Sequence, residues 1–247
     1  MYVPNHFAMD ESELASLLGS IGAADLITPT ETGLVATFLP LLYDPDTGEH
    51  GSLLCHVARN NDHWRAGQQP DAMPKSERPE SERPESERPE SLVIVRGPDA
   101  YISPSFYASK LADGRVVPTW NYVTAHIYGR LVVHDDISWL RTLVTRLTER
   151  HEAQFDKPWA VTDAPEKYID GQLRAIVGLE LQITRIEAKA KLSQNRSEAD
   201  REGVVAGLTA IQNGAIQNGA TPMPAEMAAA VQATMPASTE VRQARQS

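Results

Sequence analysis

Cysteine is almost absent from this chain. Cys55 stands alone among 247 residues, which excludes an intrachain disulfide and the usual cysteine-rich zinc sites. Positive charge is also short: 23 Lys and Arg face 33 Asp and Glu, a formal net charge of −10. A protein whose main task is gripping nucleic acid needs the opposite balance, because phosphate contacts dominate that affinity. Long apolar runs are missing too. None approaches the roughly 20 residues that span a bilayer, and residues 1–7 lack the charged and apolar blocks of a signal peptide. The expected setting is therefore the reducing cytoplasm. The GxGxxG and P-loop fingerprints are absent, so the two common nucleotide folds are not indicated. Ser103 and Ser105 lack a nucleophile elbow. His56 and His63 have no carboxylate at metal-ligand spacing.

The hydrophobic fraction, 41%, is a little low for a wholly globular chain. Two biased segments account for the deficit. Ser-Glu-Arg-Pro-Glu occurs three times in succession over residues 76–90, with no apolar residue except proline. Such a stretch buries too little surface to offset its ordering entropy. Residues 67–91 are expected to be a disordered surface loop between two strands. From residue 209 the chain repeats Ala-Ile-Gln-Asn-Gly and then runs through Ala, Met, Pro, Gln and Ser. Residues 209–247 are expected to be a mostly disordered tail, leaving one domain over residues 1–208.

Within that body the periodicity is mostly that of strands. Residues 26–29 and 34–40 flank a Glu31-Thr32-Gly33 turn, and residues 52–57 read as another strand. Residues 92–95 are a short buried strand ended by Arg96-Gly97-Pro98-Asp99. Residues 122–133 form a longer one, in which Gly129 marks a bulge or close backbone approach. Val177, Leu179, Leu181 and Ile183 alternate with polar neighbours, the pattern of a strand with one buried face. Helices are expected at residues 11–18, at 137–152 behind an Asp135 or Asp136 cap, after Pro165, and from 197 to 208. Ile137, Leu140, Leu143, Val144 and Leu147 form the stripe of the second. Strands that cluster, with helices at the front and back, suit a β-barrel with peripheral helices better than a doubly wound sheet.

Four polar-aromatic clusters fall at strand edges: residues 56–64, 101–107, 117–122 and 189–196. The last, Lys-Ala-Lys-Leu-Ser-Gln-Asn-Arg, brings cations, a hydroxyl and amides to the end of a strand. Those are the donors that phosphate takes. Together the clusters supply what a ligand with a phosphate, a polar heterocycle and a flat face requires.

Taken in order, these clusters resemble the PaiB family of FMN-binding, split-barrel transcriptional regulators. The resemblance rests on Met1-Tyr2-Val3-Pro4, His6-Phe7, His56, Ala58, Asn61, Trp64, Gly97-Pro98, Ala100-Tyr101-Ile102-Ser103, Val117-Pro118-Thr119-Trp120-Asn121-Tyr122, Gly129, Gln172-Leu173, Ile176-Val177-Gly178 and Lys191-Leu192-Ser193-Gln194-Asn195-Arg196. It implies a mainly β protein with peripheral helices, a six-stranded split barrel that forms a homodimer and holds FMN near the subunit interface. A deazaflavin or haem would suit such a barrel as well. Under this resemblance Lys191, Ser193 and Arg196, with Arg59, meet the phosphate. Asn121, Gln194 and Asn195 serve ribityl or ring-edge groups, and Trp120 or Tyr122 packs on the flavin. His56, Asn61, Ser103 and Thr119 complete the expected cofactor-binding set. The family label implies negative regulation of transcription. With no helix-turn-helix pattern and an acidic chain, the expected route is through flavin or a protein partner, not direct DNA binding. The alternative is a flavin-dependent oxidoreductase of the pyridoxamine-phosphate oxidase or flavin reductase type, enzymes that share the barrel.

Overall fold

A computed structural model describes residues 1–30, 32–66, 90–214 and 224–236. Its strands are β1 (Ala23–Thr30), β2 (Gly33–Pro40), β3 (Leu42–Asp44), β4 (Ser52–Ala58), β5 (Ser91–Ile102), β6 (Thr119–His134) and β7 (Ile176–Lys191). Its helices are α1 (Glu11–Gly19), α2 (His63–Ala66), α3 (Ser109–Ala112), α4 (Ile137–Glu152), α5 (Glu166–Arg174), α6 (Glu198–Gln212) and α7 (Pro224–Ala233). The protein is mainly β with helices. Its sheet runs β2-β1-β5-β6-β7-β4-β3, and β1–β2, β1–β5, β3–β4 and β4–β7 all pair antiparallel.

This corrects the six-stranded barrel. Among the described residues there are seven strands in one open order, with β2 and β3 at its edges. The extra strand, β3, is three residues long and pairs Leu42 with Leu54 on β4. A strand that short has no period to read in sequence. A second correction concerns β5, which continues through Gly97 and Pro98 to Ile102. Pairing within the sheet overrides the local turn signal there.

The chain divides into two compact units. One comprises Glu11–Val95 and Ala125–Glu187, and the other Met1–Asp10, Arg96–Thr124 and Ala188–Ser247. In the first, Asp136 caps α4 by accepting from Trp139 N at 2.9 Å. Leu143 and Leu147 of α4 pack with Leu42 and Leu54, while Leu140 packs with Ile169 and Leu173 of α5. Ile137, expected on the buried stripe, is exposed, and Trp139 joins both clusters instead. Gly129 marks a close approach, since a Cβ there would lie 2.3 Å from the Gln182 carbonyl oxygen.

In the second unit, Ala100, Ile102 and Tyr107 share a core with Ala190, Leu192, Val204 and Leu208. Met227, Ala228 and Val231 of α7 enter the same core. The structure thus differs from the expected tail: α6 continues to Gln212, and α7 docks on it. Met227 and Val231 lie one helical turn apart, so two large side chains on one face suffice where small neighbours allow close packing. Residues 67–89 of the expected loop, and residues 215–223 and 237–247 of the expected tail, lie outside the described residues. No helix among the described residues is long and apolar enough to cross a membrane.

Replacing Gly129 with Ala is expected to destabilise the fold by about 1–3 kcal/mol, because the Cβ meets backbone and not a movable side chain. Urea unfolding measures this. Cys55 is buried, which pushes its thiol up to about 12. A thiol reagent at neutral pH should therefore label Cys55 only as fast as the protein opens. Rapid labelling of the native protein would contradict its placement.

Candidate functional site

The end of β7 and the turn after it bring Lys189, Lys191 and Arg196 close together in the second unit. The turn is unusual in its backbone. Ser193 has φ 65°, in the left-handed region that a residue with a Cβ seldom occupies. It is held there by a buried partner. Asn121 on β6, fully buried, donates from Nδ2 to Ser193 Oγ at 3.0 Å, and Ser193 itself is 3% exposed. Gln194 then ties the turn to itself: its Oε1 accepts from Leu192 N at 2.7 Å, and its Nε2 donates to the Ala190 carbonyl at 2.6 Å. Arg196 N closes the turn on the Ser193 carbonyl at 2.9 Å.

Three cations emerge from this frame. Lys191 Nζ donates to Thr119 Oγ1, and to the Trp120 carbonyl at 2.8 Å. Arg196 lays its guanidinium over the Tyr107 ring, 4.7 Å from the centroid. The third, Lys189, opens the donor run read from sequence, although the expected cofactor-binding set begins at Lys191. It is only 8% exposed, donates to the Tyr2 carbonyl at 3.2 Å and faces the rings of Tyr2, Phe7 and Tyr122 at 5.3–5.9 Å. Strand-like pairing of Ala8 with Lys189 brings the amino-terminal residues there. Burial lowers the pKa of Lys191, and the nearby charges of Lys189 and Arg196 lower it further. None of the three cations makes an ion pair among the described residues. Asp200 is near enough to feel Arg196, but its carboxylate accepts from Ser109 N and Oγ at 2.8 and 3.0 Å. Gathered cations are costly, and lysine and arginine donors of this kind are ones that could hold a phosphate.

Other expected residues divide by what already occupies them. Trp120 is 39% exposed beside Tyr101, their rings 6.3 Å apart, so one aromatic face remains available to a flat ligand. Asn195 is exposed. Ser103 is engaged in a short helical turn, with its Oγ 2.6 Å from Ser105 Oγ and accepting from Ser105 N. His56, Arg59 and Asn61 belong to the other unit. Arg59 is committed there: both terminal nitrogens bind Asp135, and its Nε and Nη2 donate to the carbonyls of Arg174 and Ile176. Asn61 Oδ1 accepts from His63 N at 2.9 Å. His56 is largely buried, which lowers its pKa, and its Nδ1 has no partner among the described residues. His63, fully buried, links Thr37 at 2.7 Å to Thr28 at 2.9 Å, and Thr28 continues to Ser91 at 2.8 Å. Burial lowers the His63 pKa, keeping the ring neutral between two hydroxyls.

The first unit also has a cleft, lined by Asp44, His134, Trp139, Thr142, Arg146 and Glu180 among others. Its arginine and its histidine are already engaged by acids. Arg146 binds Asp44 at 2.7 Å and holds that carboxyl below its ordinary range. His134 bonds Glu180 at 2.8 Å and stacks on Trp139 at 4.1 Å. A cleft that satisfies its own polar groups gives a charged ligand little to gain, whereas the Lys189–Arg196 cluster leaves its charge open.

Comparison with known proteins identifies the family. Residues 1–185 match the model of a family described as "Putative FMN-binding domain". The match ends before Lys189 and does not include the three cations. Protease synthase and sporulation protein PAI 2 of Bacillus subtilis is 29% identical over 216 residues, covering 86% of this chain and 91% of that protein. Protein AN0679 of Emericella nidulans is 31% identical over 189 residues, covering 70% and 74% respectively. The structure of conserved hypothetical protein Rv2991 from Mycobacterium tuberculosis aligns with a TM-score of 0.52 over 80% of this chain and 95% of that one. At 12% identity that likeness is one of fold alone. Family match and relatives together establish that the chain belongs to the PaiB-like family of FMN-binding proteins, with FMN as its cofactor.

Proposed function

We propose that this chain is a PaiB-like FMN-binding regulator, and that Lys189, Lys191 and Arg196 receive the flavin phosphate. The observation that carries this reading is three neighbouring cations, none of them in an ion pair among the described residues. Asn121, Ser193 and Gln194 act on the phosphate at one remove by fixing the turn, and Asn195 is the amide left for the ribityl chain. Trp120 offers the exposed ring for the flavin plane. Arg59 belongs to the architecture of its own unit. FMN, when bound, supplies one- and two-electron chemistry, while the protein supplies binding and orientation.

Regulation in this reading works through the flavin or a protein partner. The printed name of the Bacillus subtilis relative, which refers to protease synthesis and sporulation, supports a regulatory role. A net charge of −10 opposes direct binding to duplex DNA. Homodimerisation and a split-barrel shape complete the proposal. Exposed Leu34 and Phe38 on edge strand β2 support the dimer, and the approach of β2 to β4 within the first unit supports curling toward a barrel. The single buried cysteine suits a cytoplasmic setting.

Purified protein should titrate with FMN to saturation, sediment as a dimer and show no operator binding at physiological salt. Turnover of NAD(P)H by the yellow protein would replace the regulator with an oxidoreductase. Arg196→Ala is expected to weaken FMN binding roughly 10- to 100-fold and leave riboflavin binding unchanged, since only FMN carries the phosphate. Equal loss for both flavins would place Arg196 away from the phosphate. Lys191 gives a pH signature. Its folded pKa is depressed, so just below the ordinary lysine value the unfolded chain holds a proton that the folded one has released. Stability from this group therefore rises with pH across that window. Lys191→Met should remove the rise, as read by urea unfolding at a series of pH values.

A further inference from the structure

We propose that Tyr107 is a positioning residue for Arg196: the face of its ring, and not its hydroxyl, sets where the guanidinium waits for the flavin phosphate. This rests on the reading of the cation cluster as the phosphate site.

Arg196 is half-buried and forms no ion pair among the described residues, so its backbone does not by itself explain where its head group lies. An arginine side chain has many rotamers, and binding a phosphate from a mobile state forfeits that freedom. The Tyr107 ring, 4.7 Å from the guanidinium carbon, provides an attractive flat surface before any ligand arrives. The hydroxyl is not the useful part. It is buried and meets no hydrogen-bond geometry with any described group, although Arg196 and Ser193 face it. Burial, the largest influence, raises the phenol pKa, so it stays neutral and contributes no charge.

A positioning surface has to be immobile, and Tyr107 is fixed from both sides. The residue is 2% exposed in the core of its unit. Its neighbour Phe106 fills a notch on α6, where a Cβ at Gly203 would lie 2.0 Å from the Phe106 carbonyl oxygen and one at Gly207 2.4 Å from its ring. Two residues on, Ser109 is held by Asp200 of α6 through its N–H and its hydroxyl. The same helix starts directly beyond Arg196, with Ser197 as its cap accepting from Asp200 N. One helix therefore anchors both the backbone of the arginine and the loop that carries the ring. The 101–107 cluster, whose serines only shape a turn, gains a role through its last residue.

The experiment compares dissociation constants for FMN and riboflavin on the purified full chain, with thermal unfolding of each variant. Tyr107→Phe keeps the ring and should retain the preference for FMN at equal or higher stability. Tyr107→Leu should lose roughly three- to tenfold in FMN affinity with riboflavin unchanged. A ring-fluorinated phenylalanine at the same position keeps the shape while withdrawing the negative ring face. It should show the same selective loss, which keeps the test decisive where the leucine variant fails to fold. Loss of the preference in Tyr107→Phe would overturn the proposal by making the hydroxyl the active part. A fluorinated variant that keeps full preference would overturn it by making the ring face irrelevant. Arg196→Ala separates the two levels. If that variant loses the preference while the fluorinated ring does not, the role of Tyr107 falls alone. If Arg196→Ala keeps it, the phosphate reading falls and takes this proposal with it.

Discussion

Like charges repel, and this protein holds three of them close together with no ion pair to any of them among the described residues. That constraint shapes everything around the end of β7. Left free, lysine and arginine side chains would spread into water, where their charge is well screened. Here the Ser193 backbone is bent into the left-handed region, Asn121 secures it from the neighbouring strand, and Gln194 staples the turn. Aromatic rings and carbonyls stand in for counter-ions around Lys189 and Lys191. Each contact is weak beside a full ion pair. The result is a place where positive charge is tolerated and not satisfied, which is what a phosphate-bearing cofactor can exploit.

Both units use the same residue types to different ends. In the first, three arginines find an acid: Arg59 with Asp135, Arg146 with Asp44, Arg141 with Asp170. Such pairs orient helices and strand ends and leave little for a ligand. In the second, the Asp200 carboxylate accepts its hydrogen bonds from Ser109 and acts on Arg196 only from a distance. The difference between architecture and site lies in whether a charge has been answered by the fold.

Much of this was legible in the sequence, where the information is local. The β1–β2 hairpin, the Asp136 cap of α4 and the donor-rich run after β7 all follow from spacing and residue type within a few positions. The rest depends on partners far apart in the chain. Nothing near Arg59 announces that Asp135, 76 positions away, will take it, so an arginine beside a histidine and an asparagine reads as a phosphate ligand. Lys189 stands in the donor-rich run, but its burial against Tyr2 and Phe7 depends on residues far away in the chain. β3 and α7 were illegible for another reason: three residues show no period, and two large side chains among alanines look like too little to dock. Gly97-Pro98 carried a true local preference that the sheet overruled.

The buried chain from Thr37 through His63 and Thr28 to Ser91 has a consequence for how this gene can change. His63 opens the four-residue helix that ends just before the pentapeptide insertion, and Ser91 opens the strand just after it. Both bond to the same threonine, so the two ends of the insertion are moored to one point of the sheet. Copies of a short tandem repeat are gained and lost in units, and each unit of Ser-Glu-Arg-Pro-Glu is fifteen nucleotides, which preserves the reading frame. A change in copy number between His63 and Ser91 therefore leaves both residues their shared bond to Thr28.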